Sequence, residues 1–160
     1  MTTAYVALGS NLGDPRQQVL AAFEALAQLP QSRVTARSRL YRTPPWGVVD
    51  QPWFVNAAAR LDTTLAPEAL LDGLQAIERR AGRVRDVRYG PRTLDLDLLH
   101  VEGVCRADVR LTLPHPRIAE RAFVLLPLAE LAPELDVPGQ GRVAELLAAA
   151  DAEGCCLLAE

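Results

Sequence analysis

Apolar and polar positions recur in blocks that divide the chain into strands and helices. Thr2 to Leu8 is a short apolar run, which predicts a first strand. Gly9-Ser10-Asn11-Leu12-Gly13 follows as its turn. Its glycines lack the spacing of a phosphate-cradling loop. Asp14 can cap a helix and Pro15 suits the first helical position. Val19, Ala22, Phe23, Leu26 and Leu29 then repeat at helical spacing, so a helix with one core-facing stripe runs to Pro30. Arg33 to Tyr41 alternates loosely and predicts a second strand. Thr43-Pro44-Pro45-Trp46-Gly47 leaves regular structure, because consecutive prolines remove donors and fix φ. That loop continues to Pro52, and Trp53 to Thr63 predicts a third strand.

Leu65 to Ala81 predicts a second helix, with Pro67 in its first turn and Leu70, Leu74, Ile77 and Ala81 as its apolar stripe. Gly82 is its stop. Gln75 and Glu78 lie off that stripe, on a face that solvent would cover. Leu94-Asp95-Leu96-Asp97-Leu98 alternates strictly and predicts a strand reaching about Val101, followed by a turn at Glu102-Gly103. Val109 to Leu113 can form a short strand that Pro114-His115-Pro116 stops. Ala122 to Leu131 reads as a helix, Pro133 to Gly141 as a loop and Arg142 to Ala150 as a last helix. The tail to Glu160 carries no motif. Strands and helices mix without strict β-α-β alternation, so the fold class is α+β with an antiparallel-dominated sheet.

Composition narrows the class. A chain of 160 residues suits one domain, here 1–160, and 49% hydrophobic residues argue against disorder. A formal charge of −3 argues against general nucleic-acid binding. No apolar run reaches membrane-spanning length, and no signal pattern opens the chain, so cytoplasm is expected, with no membrane partner. Cys105 and the adjacent Cys155-Cys156 fit neither a disulfide framework nor zinc spacing. Every Lys or Arg position is arginine. That excludes a P-loop lysine, a kinase strand lysine and Schiff-base chemistry.

The candidate chemistry sits at Arg88 to Leu99. On a strand, Asp95 and Asp97 share the face opposite Leu94, Leu96 and Leu98, roughly 7 Å apart at about 3.3 Å rise per residue. Oxygen ligands at that spacing suit Mg²⁺, which takes one or two carboxylates plus substrate phosphates. Arg83, Arg85, Arg88 and Arg92 lie just upstream and offer guanidinium forks for phosphate oxygens. An acid pair alone fits a half-exposed edge strand equally well; the adjacent arginines favour a metal-triphosphate site. Phe54 and Asn56, two apart on one face, could hold a planar heterocycle, by stacking and by a donor-acceptor pair. Taken alone, the pattern favours a buried Phe and an Asn satisfying backbone. His115 and His100, read alone, are structural.

At these residues the sequence resembles a known family, the 6-hydroxymethyl-7,8-dihydropterin pyrophosphokinases of folate synthesis. Arg88, Gly90, Pro91, Arg92, Asp95, Leu96, Asp97, Leu98 and Leu99 match its signature. Arg42-Thr43-Pro44-Pro45 and Asp50-Gln51-Pro52, followed by Phe54 and Asn56, resemble its pterin-side segment. Arg110-Leu111-Thr112-Leu113-Pro114-His115 resembles its ATP-binding run, and Arg121 and Phe123 also match.

The resemblance implies a ferredoxin-like fold in three α/β/α layers and transfer of pyrophosphate from ATP to the pterin hydroxymethyl group, releasing AMP. It implies that Phe54 and Phe123 stack on opposite pterin faces and that Asn56 bonds the ring's amide edge. Thr43, Pro44 and Trp46 would line that pocket, with Asp95 beside it. Gln75, Glu78, Arg85, Tyr89, Arg92, Leu98, Arg110, Leu111, Thr112, His115 and Arg121 would take the nucleotide. Asp95 and Asp97 would hold two Mg²⁺ ions, and Arg83 and Arg92 would stabilise charge as the α–β bridge breaks. Trp46 stands where well-studied relatives have leucine, Tyr89 where close relatives have tryptophan, and Pro116 where some have tyrosine. The partners implied are pterin and ATP, with no nucleic acid, and a monomer is expected. Two other classes compete: a metal-dependent nucleotide-sugar transferase, and a non-enzymatic ferredoxin-like RNA-binding module.

Overall fold

The computed structural model describes residues 1–45, 50–82 and 94–158. In chain order the elements are β1 (Thr2–Ser10), α1 (Pro15–Ala27), β2 (Ser32–Arg37), β3 (Tyr41–Thr43), β4 (Phe54–Thr63), α2 (Pro67–Arg80) and β5 (Asp95–Val101). There follow β6 (Arg106–Ala107), β7 (Thr112–Leu113), a 3₁₀ turn at Ile118–Glu120, α3 (Ala122–Leu131), β8 (Asp136–Val137), β9 (Gly141–Arg142), α4 (Val143–Ala149) and β10 (Cys156–Leu157). The main sheet runs β10-β3-β4-β1-β5, with β2 also on β4, and every pairing is antiparallel. β1 lies inside the sheet and is covered on both faces, which is why it reads as an apolar run.

Alternate residues of β1 enter different cores. Ala4, Val6 and Leu8 join the α1 stripe, Leu70, Leu74 and Ile77 of α2, and Leu94, Leu96 and Leu98. Tyr5 joins Leu99, Val124, Leu125 and Leu128 of α3, and Val143 of α4. Asp14 caps α1 as its sequence predicts, its carboxylate accepting the Gln17 N–H at 3.2 Å.

Four local readings change. The second strand breaks between Arg37 and Tyr41, because Ser38 takes over the pairing with β4. Its N–H donates to Ala58 O at 2.9 Å and its Oγ accepts the Ala58 N–H at 2.8 Å. The strand expected at Val109–Leu113 shrinks to Thr112–Leu113, because Asp108 Oδ1 accepts the N–H groups of Arg110 and Leu111 and makes a turn there. The loop expected at 133–141 contains the β8–β9 hairpin, and the tail supplies β10 on the edge strand β3. β5 carries a bulge: Val6 faces Leu98 while Tyr5 faces His100, so Leu99 is the extra residue. His100 is thereby buried beside Tyr5, with ring centroids 6.4 Å apart, the structural role its sequence context suggests.

Candidate active site

The strand register sets two of the predicted residues, Asp95 and Asn56, in one rank. Asp95 on β5 lies opposite Gly9 on β1, Gly9 opposite Asn56 on β4, and Asn56 opposite Tyr41 on β3. Directly opposed residues project to the same face, so Asp95 and Asn56 flank a strand position that has no side chain. A Cβ at Gly9 would stand 2.6 Å from Asn56 Oδ1 and 3.9 Å from Phe54 Cδ2. The glycine therefore lets the Asn56 amide lie close on the β1 backbone, in a floor that also carries an aromatic ring and a carboxylate-bearing strand. Phe54 and Asn56 do share a face. Asn56 Nδ2 donates to Thr43 Oγ1 at 2.6 Å, and both residues are buried. That bond holds the amide between Thr43 and Gly9, with Oδ1 toward Gly9. Beside this floor, the buried Asn11 donates to Gln51 Oε1 at 3.0 Å and Pro52 O at 2.9 Å, tying the turn after β1 to the segment before β4. Pro44 is half-buried, beside Gly154 of the tail.

The acid pair keeps to its expected face. Leu94, Leu96 and Leu98 are buried, while Asp95 and Asp97 between them are only half-buried. Asp97 Oδ2 lies 3.7 Å from the Arg121 guanidinium, which in turn sits 5.7 Å from the centre of the Phe123 ring. One arginine thus links the acid pair to the aromatic residue at the start of α3. The pair offers two hard-oxygen side chains on one strand face, a donor set that fits Mg²⁺ with phosphate and water completing its shell. Among the described residues no group of three or more His, Cys, Asp or Glu forms a metal cage.

Among the described residues β5 ends the sheet, and a cleft of about 280 Å³ runs along its edge. Gln75 and Glu78 of α2, Asp97 and Leu98 of β5, and Arg110, Leu111, Thr112 and His115 line it. The solvated face expected at Glu78 is corrected: this residue is 3% exposed, and its Oε2 accepts the Leu96 N–H at 2.8 Å. A sheet edge presents unpaired N–H groups, and a carboxylate satisfies one of them here. Gln75 is half-buried beside it. The Leu98 side chain packs in the core, so what Leu98 can offer a ligand is backbone, which alternation puts on the same open edge as Leu96 N–H.

His115 is held from several directions. Its N–H donates to Leu99 O at 2.8 Å and its Nδ1 accepts the Arg117 N–H at 3.2 Å. Burial first, then the Arg121 cation, lowers its pKa to about 4, against an opposing pull from Asp95. The ring is therefore neutral at pH 7, with its proton on Nε2. Arg110 pairs with Asp72 of α2 and is about half exposed. Trp46, Arg83, Arg85, Arg88, Tyr89 and Arg92 lie outside the described residues. Reasoning from sequence missed Gly9 as a site residue, although a glycine inside a strand signals close approach. It also missed Asp72, for which no local signal exists.

Comparison with known proteins gives one consistent result. The family model described as 7,8-dihydro-6-hydroxymethylpterin-pyrophosphokinase (HPPK) matches residues 5–133. A protein of Methylorubrum extorquens named 2-amino-4-hydroxy-6-hydroxymethyldihydropteridine pyrophosphokinase is 53% identical over 154 residues, covering 96% of this chain and 97% of that one. The protein of that name from Pseudomonas aeruginosa is 56% identical over 151 residues, covering 94% and 93%. Among solved structures, wild-type HPPK-DHPS of Plasmodium falciparum with pteroate superposes with a TM-score of 0.73 at 13% identity. It covers 92% of this chain and 42% of that one, a likeness of fold.

Proposed function

Because the chain belongs to the 7,8-dihydro-6-hydroxymethylpterin-pyrophosphokinase family, we propose that it transfers pyrophosphate from ATP to the hydroxymethyl group of 6-hydroxymethyl-7,8-dihydropterin, a step of folate biosynthesis. The pterin hydroxyl oxygen attacks the β-phosphorus. The bond from that phosphorus to the α–β bridging oxygen breaks, AMP leaves with the bridging oxygen, and the hydroxyl proton passes to solvent.

The observation that carries this reading is the place of Asp97. It lines the cleft on the β5 edge and, through Arg121, adjoins Phe123. Phe54 and Phe123 would stack on the two pterin faces, and Asn56, fixed by Thr43, would read the amide edge, with Asp95 alongside. Pro44 and Trp46 would complete that pocket. The cleft would take the nucleotide, with Gln75, Glu78, Leu98 backbone, Arg110, Leu111, Thr112 and His115 around it. Asp95 and Asp97 would hold two Mg²⁺ ions, which would supply charge neutralisation to the triphosphate and help to align the pterin hydroxyl with the α–β bridge. Arg83, Arg85 and Arg92 would grip phosphate oxygens, and Tyr89 and Arg121 would line the nucleotide's path.

The same reading makes the chain one domain, 1–160, with a ferredoxin-like sheet between two helical layers. The two separate cores support that arrangement. It also makes the protein a cytoplasmic monomer; none of the described helices is long and apolar enough to cross a membrane. Family membership sets aside the sugar-transferase and RNA-binding alternatives. The test is product analysis with ATP, Mg²⁺ and the pterin. AMP should form in step with pterin diphosphate, and only when pterin is present. Formation of ADP, or AMP release independent of pterin, would overturn the proposal.

A further inference from the structure

The β8–β9 hairpin lies beyond residue 133, where the family match ends. Its turn is Val137-Pro138-Gly139-Gln140, closed by Gln140 N–H donating to Val137 O at 2.9 Å. Pro138 supplies the fixed φ of the turn's second residue, and Gly139, with φ +77°, the positive φ of its third. The turn therefore sets a defined origin for the Gln140 side chain.

That side chain uses both ends of its carboxamide. Nε2 donates to His115 O at 2.9 Å, and Oε1 accepts the Ala119 N–H at 3.0 Å. The orientation is forced, because a carbonyl can only accept and an N–H only donate. One residue thus pins both ends of the 115–119 segment, which carries the cleft-lining ring of His115. The other contact to His115 O, from Ile118 N–H, is long at 3.5 Å. Within the segment, Nδ1 of the ring is filled by Arg117 N–H, so the ring's tautomer depends on the path of the backbone that Gln140 holds.

We propose that Gln140 is a positioning residue of the nucleotide half-site: it holds the His115–Ala119 turn so that the His115 ring, its Nδ1 bonded to Arg117 N–H, faces the cleft. This deepens the nucleotide reading above and rests on it. A residue that merely capped the 3₁₀ turn would need only its bond to Ala119. The bond to His115 O is the one that positions the ring.

Gln140→Glu separates the two roles, since a carboxylate keeps the acceptor for Ala119 and loses the donor for His115. Three readouts decide: ¹⁵N resonances of the His115 ring, one of two histidines in the chain; calorimetric affinity for a non-hydrolysable ATP analogue with Mg²⁺; and KM for ATP against KM for pterin. Gln140→Glu should shift the His115 ring nitrogens and weaken the ATP analogue about 3- to 10-fold, the size of one lost hydrogen bond, and Gln140→Leu, which loses both bonds, should do so at least as much. The pterin KM should stay within about twofold, and in a His115→Ala background Gln140→Leu should add little to the nucleotide loss. Wild-type behaviour of Gln140→Glu, or equal losses for both substrates, would overturn the proposal. Should Gln140→Leu fail to fold, Gln140→Glu carries the test. If the wild-type protein does not bind the ATP analogue, the functional reading fails. The ring resonances then still decide the positioning claim, which unmoved resonances in Gln140→Glu refute.

Discussion

On the sheet, Asn56 donates to Thr43 at 2.6 Å between neighbouring strands, and both side chains are buried. At the open edge of β5, Arg110 reaches Asp72 with 51% and 60% of the two side chains in water. The first contact is set by strand register and cannot relax without disturbing the sheet. The second is an exposed ion pair of the kind worth about 0–1 kcal/mol, which an arriving phosphate can replace. The floor is thus built when the chain folds, while the cleft proposed for the nucleotide keeps contacts it could exchange for a ligand. Substitutions on the floor should be severe and selective for pterin, and substitutions of exchangeable pairs mild.

Asp97→Ala should have the largest effect, because Asp97 belongs to both halves. Turnover should fall by about a thousandfold or more, roughly 4 kcal/mol of barrier, with the circular dichroism spectrum unchanged. Activity within a few-fold of wild type would break the link between the halves. Gly9→Ala comes next. Its Cβ would crowd Asn56 Oδ1 at 2.6 Å, so the pterin KM should rise by about tenfold or more while nucleotide affinity holds. Equal damage to both substrates would mean the floor is not a separate unit. Phe123→Ala should weaken pterin binding about tenfold, beyond any loss for ATP, as expected for a stacking ring. Equal losses would make Phe123 a core residue.

A smaller effect is on stability with pH. The folded His115 protonates at about 4 and the unfolded ring near 6.5. A depressed pKa favours the folded state while the ring is neutral. The contribution is complete above pH 6.5, drains as pH falls from 6.5 to about 4, and loses nothing more below that. Melting temperature against pH should therefore fall less steeply in that window for His115→Gln than for wild type; parallel curves would contradict the assignment. The smallest effect belongs to Asp72→Asn, which should change KM for ATP less than about threefold and only at low salt.

Period and capping made most of this fold legible. Alternation at Leu94–Leu98 told which face carries the acids, and Asp14-Pro15 marked the start of α1. What stayed hidden depends on partners far along the chain. Glu78 reads as polar and off the stripe of α2; only the unpaired edge of β5 makes its burial sensible. Ser38 looks like an ordinary strand residue until its hydroxyl is seen to replace a ladder acceptor. Asp108 carries turn chemistry that a pattern of alternating residues masked. The tail strand β10 spans two residues, and no periodicity can announce so short an element. In the candidate site, alternation alone told that Asp95 and Asp97 share one strand face and that Phe54 and Asn56 share another. The close approach at Gly9 and the clamp by Gln140 emerge only when strands and hairpins are set side by side.

Asp95 and Asp97 are proposed to serve a metal-bound triphosphate where the two halves meet. Calorimetric titration of a non-hydrolysable ATP analogue, with and without Mg²⁺, tests this most directly in wild type and in an Asp95→Asn, Asp97→Asn double variant. Wild type should gain at least about tenfold in affinity when Mg²⁺ is added, and the double variant should gain nothing. A gain from Mg²⁺ that survives in the double variant would contradict the account.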